Sequence, residues 1–169
     1  DEKYITGNAS DYEKFQKWRS DWLEGKTAEL LERVFGSSLV YRSLSYPDPD
    51  KPGQNAIAEL DMAVRWGPFL LLIEAKAQQF RLEGQLGDVG RLRTDLKKNL
   101  EDAFDQARRA YRYLQAVEVA EFRETKRPDR ILRVRAADLR RIYLVTVSLR
   151  SFANLVTKLS RLQPLGLFT

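Results

Sequence analysis

Asp61 and the triplet Glu74-Ala75-Lys76 stand at the far ends of two apolar runs that meet at Gly67-Pro68. A hairpin turning at Gly67-Pro68 sets Asp61 opposite Glu74 and Glu59 opposite Lys76. Directly opposed side chains lie about 4.5–5.5 Å apart at Cβ, so two like charges there destabilise a sheet unless something neutralises them. A hard divalent cation does so, and Mg²⁺ takes one or two carboxylates together with waters and substrate phosphate. Lys76 then sits one pair away, placed to orient a water or to stabilise charge on a phosphate in transfer. These residue types at this spacing point to metal-assisted phosphoryl transfer.

Alternation sorts the two faces of that hairpin. Leu60, Met62, Val64 and Trp66 share one face with Phe69, Leu71, Ile73 and Ala75, all apolar. Glu59, Asp61, Ala63 and Arg65 share the other with Leu70, Leu72, Glu74 and Lys76, and this face is expected to open to the site. A solvated Glu–Lys cross-strand pair is the plain alternative. Against it, Glu74 and Lys76 directly follow the run Phe69 to Ile73, which reads as buried on both sides, where charged residues need a reason.

The elements around the hairpin follow from periodicity. Residues 10–35 read as helical, with Tyr12, Phe15, Trp18 and Trp22 at steps of three and four, a break or bend at Gly25, and a stop at Gly36. Leu30, Leu31, Val34 and Phe35 mark its expected core side. Leu39 to Tyr46, Ala56 to Trp66 and Phe69 to Ala77 read as strands, with a Pro/Asp loop after the first. Phe80 to Gly90 reads as a loop, and Leu92 to about Ala120 as a long amphipathic helix. Arg123 to Arg130 reads as a polar connection and Ile131 to Val134 as a short strand. Ile142 to Leu149 reads as a central strand, and Ser151 to Leu162 as a final helix. The order is α, β, β, β, α, β, α.

Composition limits the chemistry further. The chain has 169 residues, long enough for one domain with a real core. It has no Cys and no His, which removes disulfides, thiolate nucleophiles, imidazole bases and Cys- or His-ligated zinc. Catalysis must then rest on carboxylates, Lys, Tyr, Ser/Thr or a metal that prefers oxygen. The longest strictly apolar run, Phe69 to Ile73, is far short of a membrane span, and the first residues do not form a secretory signal. The expectation is a cytoplasmic protein that does not engage membranes and is part of a longer chain.

Asp61, a gap of twelve residues, and Glu74-Ala75-Lys76 together resemble the Asp…Glu-x-Lys core of the PD-(D/E)XK nuclease superfamily. The upstream helix with Glu29, the downstream helix with Gln106 and the αβββαβ order agree with it over roughly residues 25 to 150. The resemblance implies a restriction-endonuclease-like α/β fold, a central mixed sheet flanked by helices. It divides the chain into a helical extension, 1–24, and a nuclease-like domain, 25–169. It implies that Asp61 and Glu74, with the Ala75 carbonyl, hold Mg²⁺, for which Mn²⁺ would substitute. Lys76 would position or activate the attacking water, and Glu29, taken over Glu32, would add a metal or supporting contact. Gln106 would orient Lys76 or a phosphate. Leu60 stands where many members carry Pro before the Asp.

The implied function is metal-dependent hydrolysis of phosphodiester bonds, in DNA rather than RNA. Its rival is an inactive nucleic-acid-binding or partner-binding module of the same fold. Between Asp105 and Arg141 stand eleven Lys or Arg against six Asp or Glu, a phosphate-binding surface in prospect. Arg108, Arg109 and Arg112 lie on one helix there, and Arg91, Arg93, Lys97 and Lys98 offer a second edge. Internal pairing with acids is the competing use of such arginines. Tyr111, Tyr113, Trp18 and Trp22 read as core or interface residues. Gly25-Lys26-Thr27 is no phosphate-binding loop, because Ser20 stands where the first glycine belongs. A homodimer or further domains stay open.

Overall fold

The computed structural model describes residues 9–77, 90, 94 and 101–149. Its elements run α1 (Ala9–Phe35), β1 (Val40–Pro47), β2 (Ile57–Trp66), β3 (Phe69–Lys76), α2 (Asp102–Ala116), β4 (Ala120–Glu124), β5 (Ile131–Val134), a short 3₁₀ turn at Ala136–Asp138 and β6 (Arg141–Ser148). The six strands form one mixed sheet in the order β5-β4-β1-β2-β3-β6, parallel only between β3 and β6. The fold is therefore α/β, a mixed sheet flanked by helices. Most of the first turns of the helix expected from Leu92, the helix expected from Ser151, and most of the loop expected over 80–90 lie outside the described residues; the rest of the first helix is α2. No described helix is long and apolar enough to cross a membrane.

From the turn to Met62 and Ile73 the hairpin register is the expected one, but the expected pairs Asp61 with Glu74 and Glu59 with Lys76 are not part of the ladder. Gly67, at φ +55°, opens a two-residue turn, and Met62 pairs with Ile73, Val64 with Leu71 and Trp66 with Phe69. Both faces of the hairpin are covered. Met62, Val64, Ile73 and Ala75 pack with Leu23 and Ala28 of α1, whereas Ala63, Leu70 and Leu72 pack with Ala110, Tyr113 and Leu114 of α2. The second core also holds a group of three rings, Tyr46, Tyr113 and Phe122, with centroids 5.2 to 5.4 Å apart. The face expected to open is thus closed by α2. Access lies on the α1 side.

One irregularity displaces a residue from its expected face. The β1–β2 ladder pairs Arg42 with Met62 and Leu44 with Leu60, but passes over Ser43 and Asp61. Ser43 adopts φ +48°, a left-handed conformation rare for a residue with a Cβ. Both strands change face at this rung. Val40, Met62 and Val64 face α1, while Leu44, Tyr46, Ala58 and Leu60 join the α2 core. Leu60 therefore lies opposite to the side that strict alternation assigns it.

Other expectations are corrected. Helix α1 runs unbroken through Gly25, because the turns on either side are anchored by Leu23, Thr27 and Ala28. Its Tyr12, Trp18, Trp22, Leu30 and Val34 are exposed, so the buried side is not the one the aromatics mark. Residues 120–124 form β4 instead of continuing a helix, with Ala120, Phe122 and Glu124 turned inward. Strand β6 ends the described sheet rather than occupying its centre, and its residues are only partly buried. Helix α1 stops as the sequence implies, with Gly36 at φ +89° and its N–H donated to the Glu32 carbonyl at 2.9 Å.

Candidate active site

The skipped rung frees Asp61 from the ladder, and its side chain takes over a backbone role. Asp61 Oδ2 accepts the Ala75 N–H at 2.7 Å. That bond joins β2 to β3 just past their last ladder pair, Met62 with Ile73. Glu74, next to Ala75, is 2% exposed. Lys76 Nζ donates to Glu74 Oε2 at 3.2 Å and keeps a quarter of its side chain in solvent. Asp61, Glu74 and Lys76 thus stand together at the end of the hairpin away from its turn.

The electrostatics are unbalanced. Burial, reinforced by the neighbouring Asp61 carboxylate, pushes Glu74 up to about 8, although Lys76 acts against the shift. A second acid is affected in the same way. Glu24 of α1 is half-buried and is pushed up to about 7, first by burial and then by Asp61 and Asp21, with Lys76 and Lys126 opposing. Of these three carboxylates, Glu74 has the short lysine contact, to Lys76.

Glu24 is the helix acid that the structure brings to Asp61. The two line a cavity of about 310 Å³ with Lys17, Asp21, Gly25, Ala28, Arg42, Ser43, Met62 and Lys126. Glu29 does not reach this group. It is exposed and bound to Lys26 at 2.7 Å, which holds its carboxyl below the usual range. Glu32 is likewise engaged, with Arg42 at 2.6 Å. The signal for Glu24 lies in its spacing: it sits one turn before Thr27 and Ala28, both buried, on the edge of the Arg19, Leu23, Thr27 stripe.

Gln106 lies on α2, partly buried, and its Oε1 is a buried acceptor without a hydrogen-bond partner among the described residues. Of the arginines expected to meet phosphate, two are bound within the protein. Arg109 contacts Asp50 at 3.5 Å, and Arg112 grips both oxygens of Asp50 at 2.6 and 2.8 Å. Arg108 is exposed. Arg91, Arg93, Lys97 and Lys98 lie outside the described residues.

The donors fit an oxygen-loving divalent ion in kind: carboxylates of raised pKa, a backbone carbonyl at Ala75, and no sulfur or imidazole. Two carboxylates suffice for Mg²⁺ when waters and phosphate complete the shell. Among the described residues no three acidic groups are arranged as a single metal-ligand set.

No known protein family matches the chain, and no solved structure matches it. A 43-residue stretch is 54% identical to part of a uronate isomerase from Endomicrobium trichonymphae. The stretch is 25% of this chain and 7% of the length of that relative.

Proposed function

We propose that the chain is a metal-dependent nuclease of the PD-(D/E)XK type, with a restriction-endonuclease-like fold, hydrolysing phosphodiester bonds in DNA. The observation that carries the reading is the meeting of Asp61, Glu74 and Lys76 at one hairpin end, with buried carboxylates whose charge lacks sufficient counter-charge. Asp61, Glu74 and the Ala75 carbonyl would hold Mg²⁺ or Mn²⁺, and Glu24 takes the supporting place given to Glu29 from sequence. The ion supplies Lewis-acid stabilisation of charge on a phosphoryl oxygen.

The chain's own groups do the rest. The Ala75 N–H fixes one Asp61 oxygen, and Asp61 also lines the cavity. Glu74 holds the Lys76 ammonium in place through one of its three donors, so two remain for a water and a phosphate oxygen. Glu24, titrating near neutrality beside Asp61, can hold or release a proton within the cavity. No histidine is needed, and none is present.

The test is cleavage of plasmid DNA with Mg²⁺ or Mn²⁺, run beside Lys76→Ala and with a chelator. The expected result is cleavage by the parent alone, with both proteins folded by circular dichroism. Equal cleavage by the two proteins, or cleavage that survives the chelator, overturns the proposal.

A further inference from the structure

The cavity at Asp61 does not end there. Arg42, Ser43 and Lys126 line it, and the same three line a second cavity of about 450 Å³ bounded by Glu32, Glu124 and Arg127. With three lining residues in common, the two make one groove, leading from the carboxylates to the turn between β4 and β5. That turn is fastened: the Thr125 N–H and hydroxyl both donate to the Ser43 carbonyl, at 2.9 and 3.0 Å. Ser43 is the left-handed residue of the skipped rung, so the irregularity that releases Asp61 also sets the position of Lys126.

The groove's far end is positive. Glu32 is taken up by Arg42, and Glu124 by Arg127 at 2.7 Å and Arg130 at 3.3 Å. Three cations, Arg42, Lys126 and Arg127, thus line this end with two carboxylates, and Arg130 pairs with Glu124 from outside the lining. The ion pairs hold the Arg42 and Arg127 guanidiniums in fixed orientations, and Arg127 still exposes half its side chain. Lys126 is exposed and forms no ion pair among the described residues. On α2, Asp50 engages Arg109 and Arg112 in the same way.

We infer that this groove holds the phosphodiester backbone of a DNA strand flanking the bond at Asp61 and Glu74, with Lys126 as its main phosphate contact and Arg42 and Arg127 beside it. The inference rests on the nuclease reading and adds to it the path of the substrate. Such contacts position a strand without reading its sequence, and each phosphate neutralised releases counterions, so binding through Lys126 carries a salt signature.

The experiment is fluorescence anisotropy of a short labelled DNA duplex over a salt series, with Ca²⁺ in place of Mg²⁺. It uses the full chain, Lys126→Glu, Lys126→Arg and Lys51→Glu, the last at an exposed position in the β1–β2 loop. Lys126→Glu should weaken binding about tenfold and lower the salt slope by roughly one. Lys126→Arg should bind as the parent does, and Lys51→Glu should change affinity less than about twofold. If Lys126→Glu matches Lys51→Glu while the parent cleaves plasmid, the path is wrong and the nuclease reading stands. If Lys126→Glu shows the loss but the parent does not cleave, the groove stands and the nuclease reading falls.

Discussion

Glu74 and Glu124 are equally hidden, each 2% exposed at the end of a strand in the same sheet. Their surroundings differ. Glu124 accepts the Arg42 N–H at 3.0 Å, two nitrogens of Arg127 and one of Arg130. Glu74 has Lys76 at 3.2 Å and shares a side-chain hydrogen bond with another acid, Asp61. Burial of a charge is tolerated when hydrogen bonds and counter-charges replace water. Glu124 meets that condition and works as a fastener between β1 and the β4–β5 turn. Glu74 meets it only in part, and a buried acid with too little counter-charge is a candidate for a reacting centre. Depth alone does not separate structure from function here; the inventory of partners does.

The sharpest way to break this contrast is to neutralise each glutamate in turn. Glu74→Gln should lower plasmid cleavage by about a thousandfold while leaving urea stability equal or higher. Glu124→Gln should do the reverse, costing about 3 kcal/mol of stability because two guanidiniums lose their shared anion. Its cleavage should then track the folded fraction. Cleavage lost equally in both variants at full folding would dissolve the distinction.

A pH series probes the same contrast with a smaller effect. Unfolded glutamates titrate near 4.5, but Glu24 and Glu74 in the folded state titrate at about 7 and 8. The folded chain therefore binds more protons over this window, and its stability falls as pH rises from about 5 to 8. Scanning calorimetry in chelator should show Tm dropping by several degrees across that range, with a flatter profile for Glu74→Gln. Mn²⁺ at pH 8 should restore part of the loss, by binding to the native state, and the gain should vanish in Asp61→Asn. A Tm that climbs with pH in chelator would contradict the charge imbalance itself.

Gly25→Ala gives the smallest change. A Cβ at this position meets nothing within 4 Å, and the helix continues on both sides. The substitution should stabilise the protein by about 0.5–1 kcal/mol and leave cleavage within roughly twofold. A larger loss of cleavage would mean that the wall of the cavity at Gly25 is itself in contact with substrate.

The hairpin was legible because Gly67-Pro68 admits only a tight turn, and the apolar run from Phe69 to Ile73 fixes its length. Counting from there brings Asp61 close to Glu74, but the skipped rung at Asp61, which sets its contact with the Ala75 N–H, does not follow from counting. Glu24 was hidden by α1, whose aromatic residues stand outward while Leu23, Thr27 and Ala28 make the buried side. A stripe of Tyr12, Trp18 and Trp22 reads as core in any scheme that equates large with buried, and so do Leu30 and Val34, which are exposed as well. Strand β4 was hidden by Glu124, a charged residue at an inward position whose arginine partners come from the following turn. The arginine surplus was visible, but a sequence does not show which arginines Asp50, 62 residues away from Arg112 in the chain, will engage. The left-handed Ser43 carries no signal in residue type at all.

That serine has one more consequence. The skipped rung works like a dislocation in a crystal: the sheet on either side is regular, and the two halves are out of phase by one side chain. Because β1 and β2 slip at the same rung, their errors cancel, and Leu44 meets Leu60 as faithfully as Val40 meets Val64. Only the boundary itself is irregular, and Asp61 occupies it. A one-residue deletion in either strand would cure the slip in that strand and expose it in the other, turning Tyr46 or Ala58 out of the core. The defect is thus protected as a matched pair, and the acid at its centre is held where regular pleating could not put it.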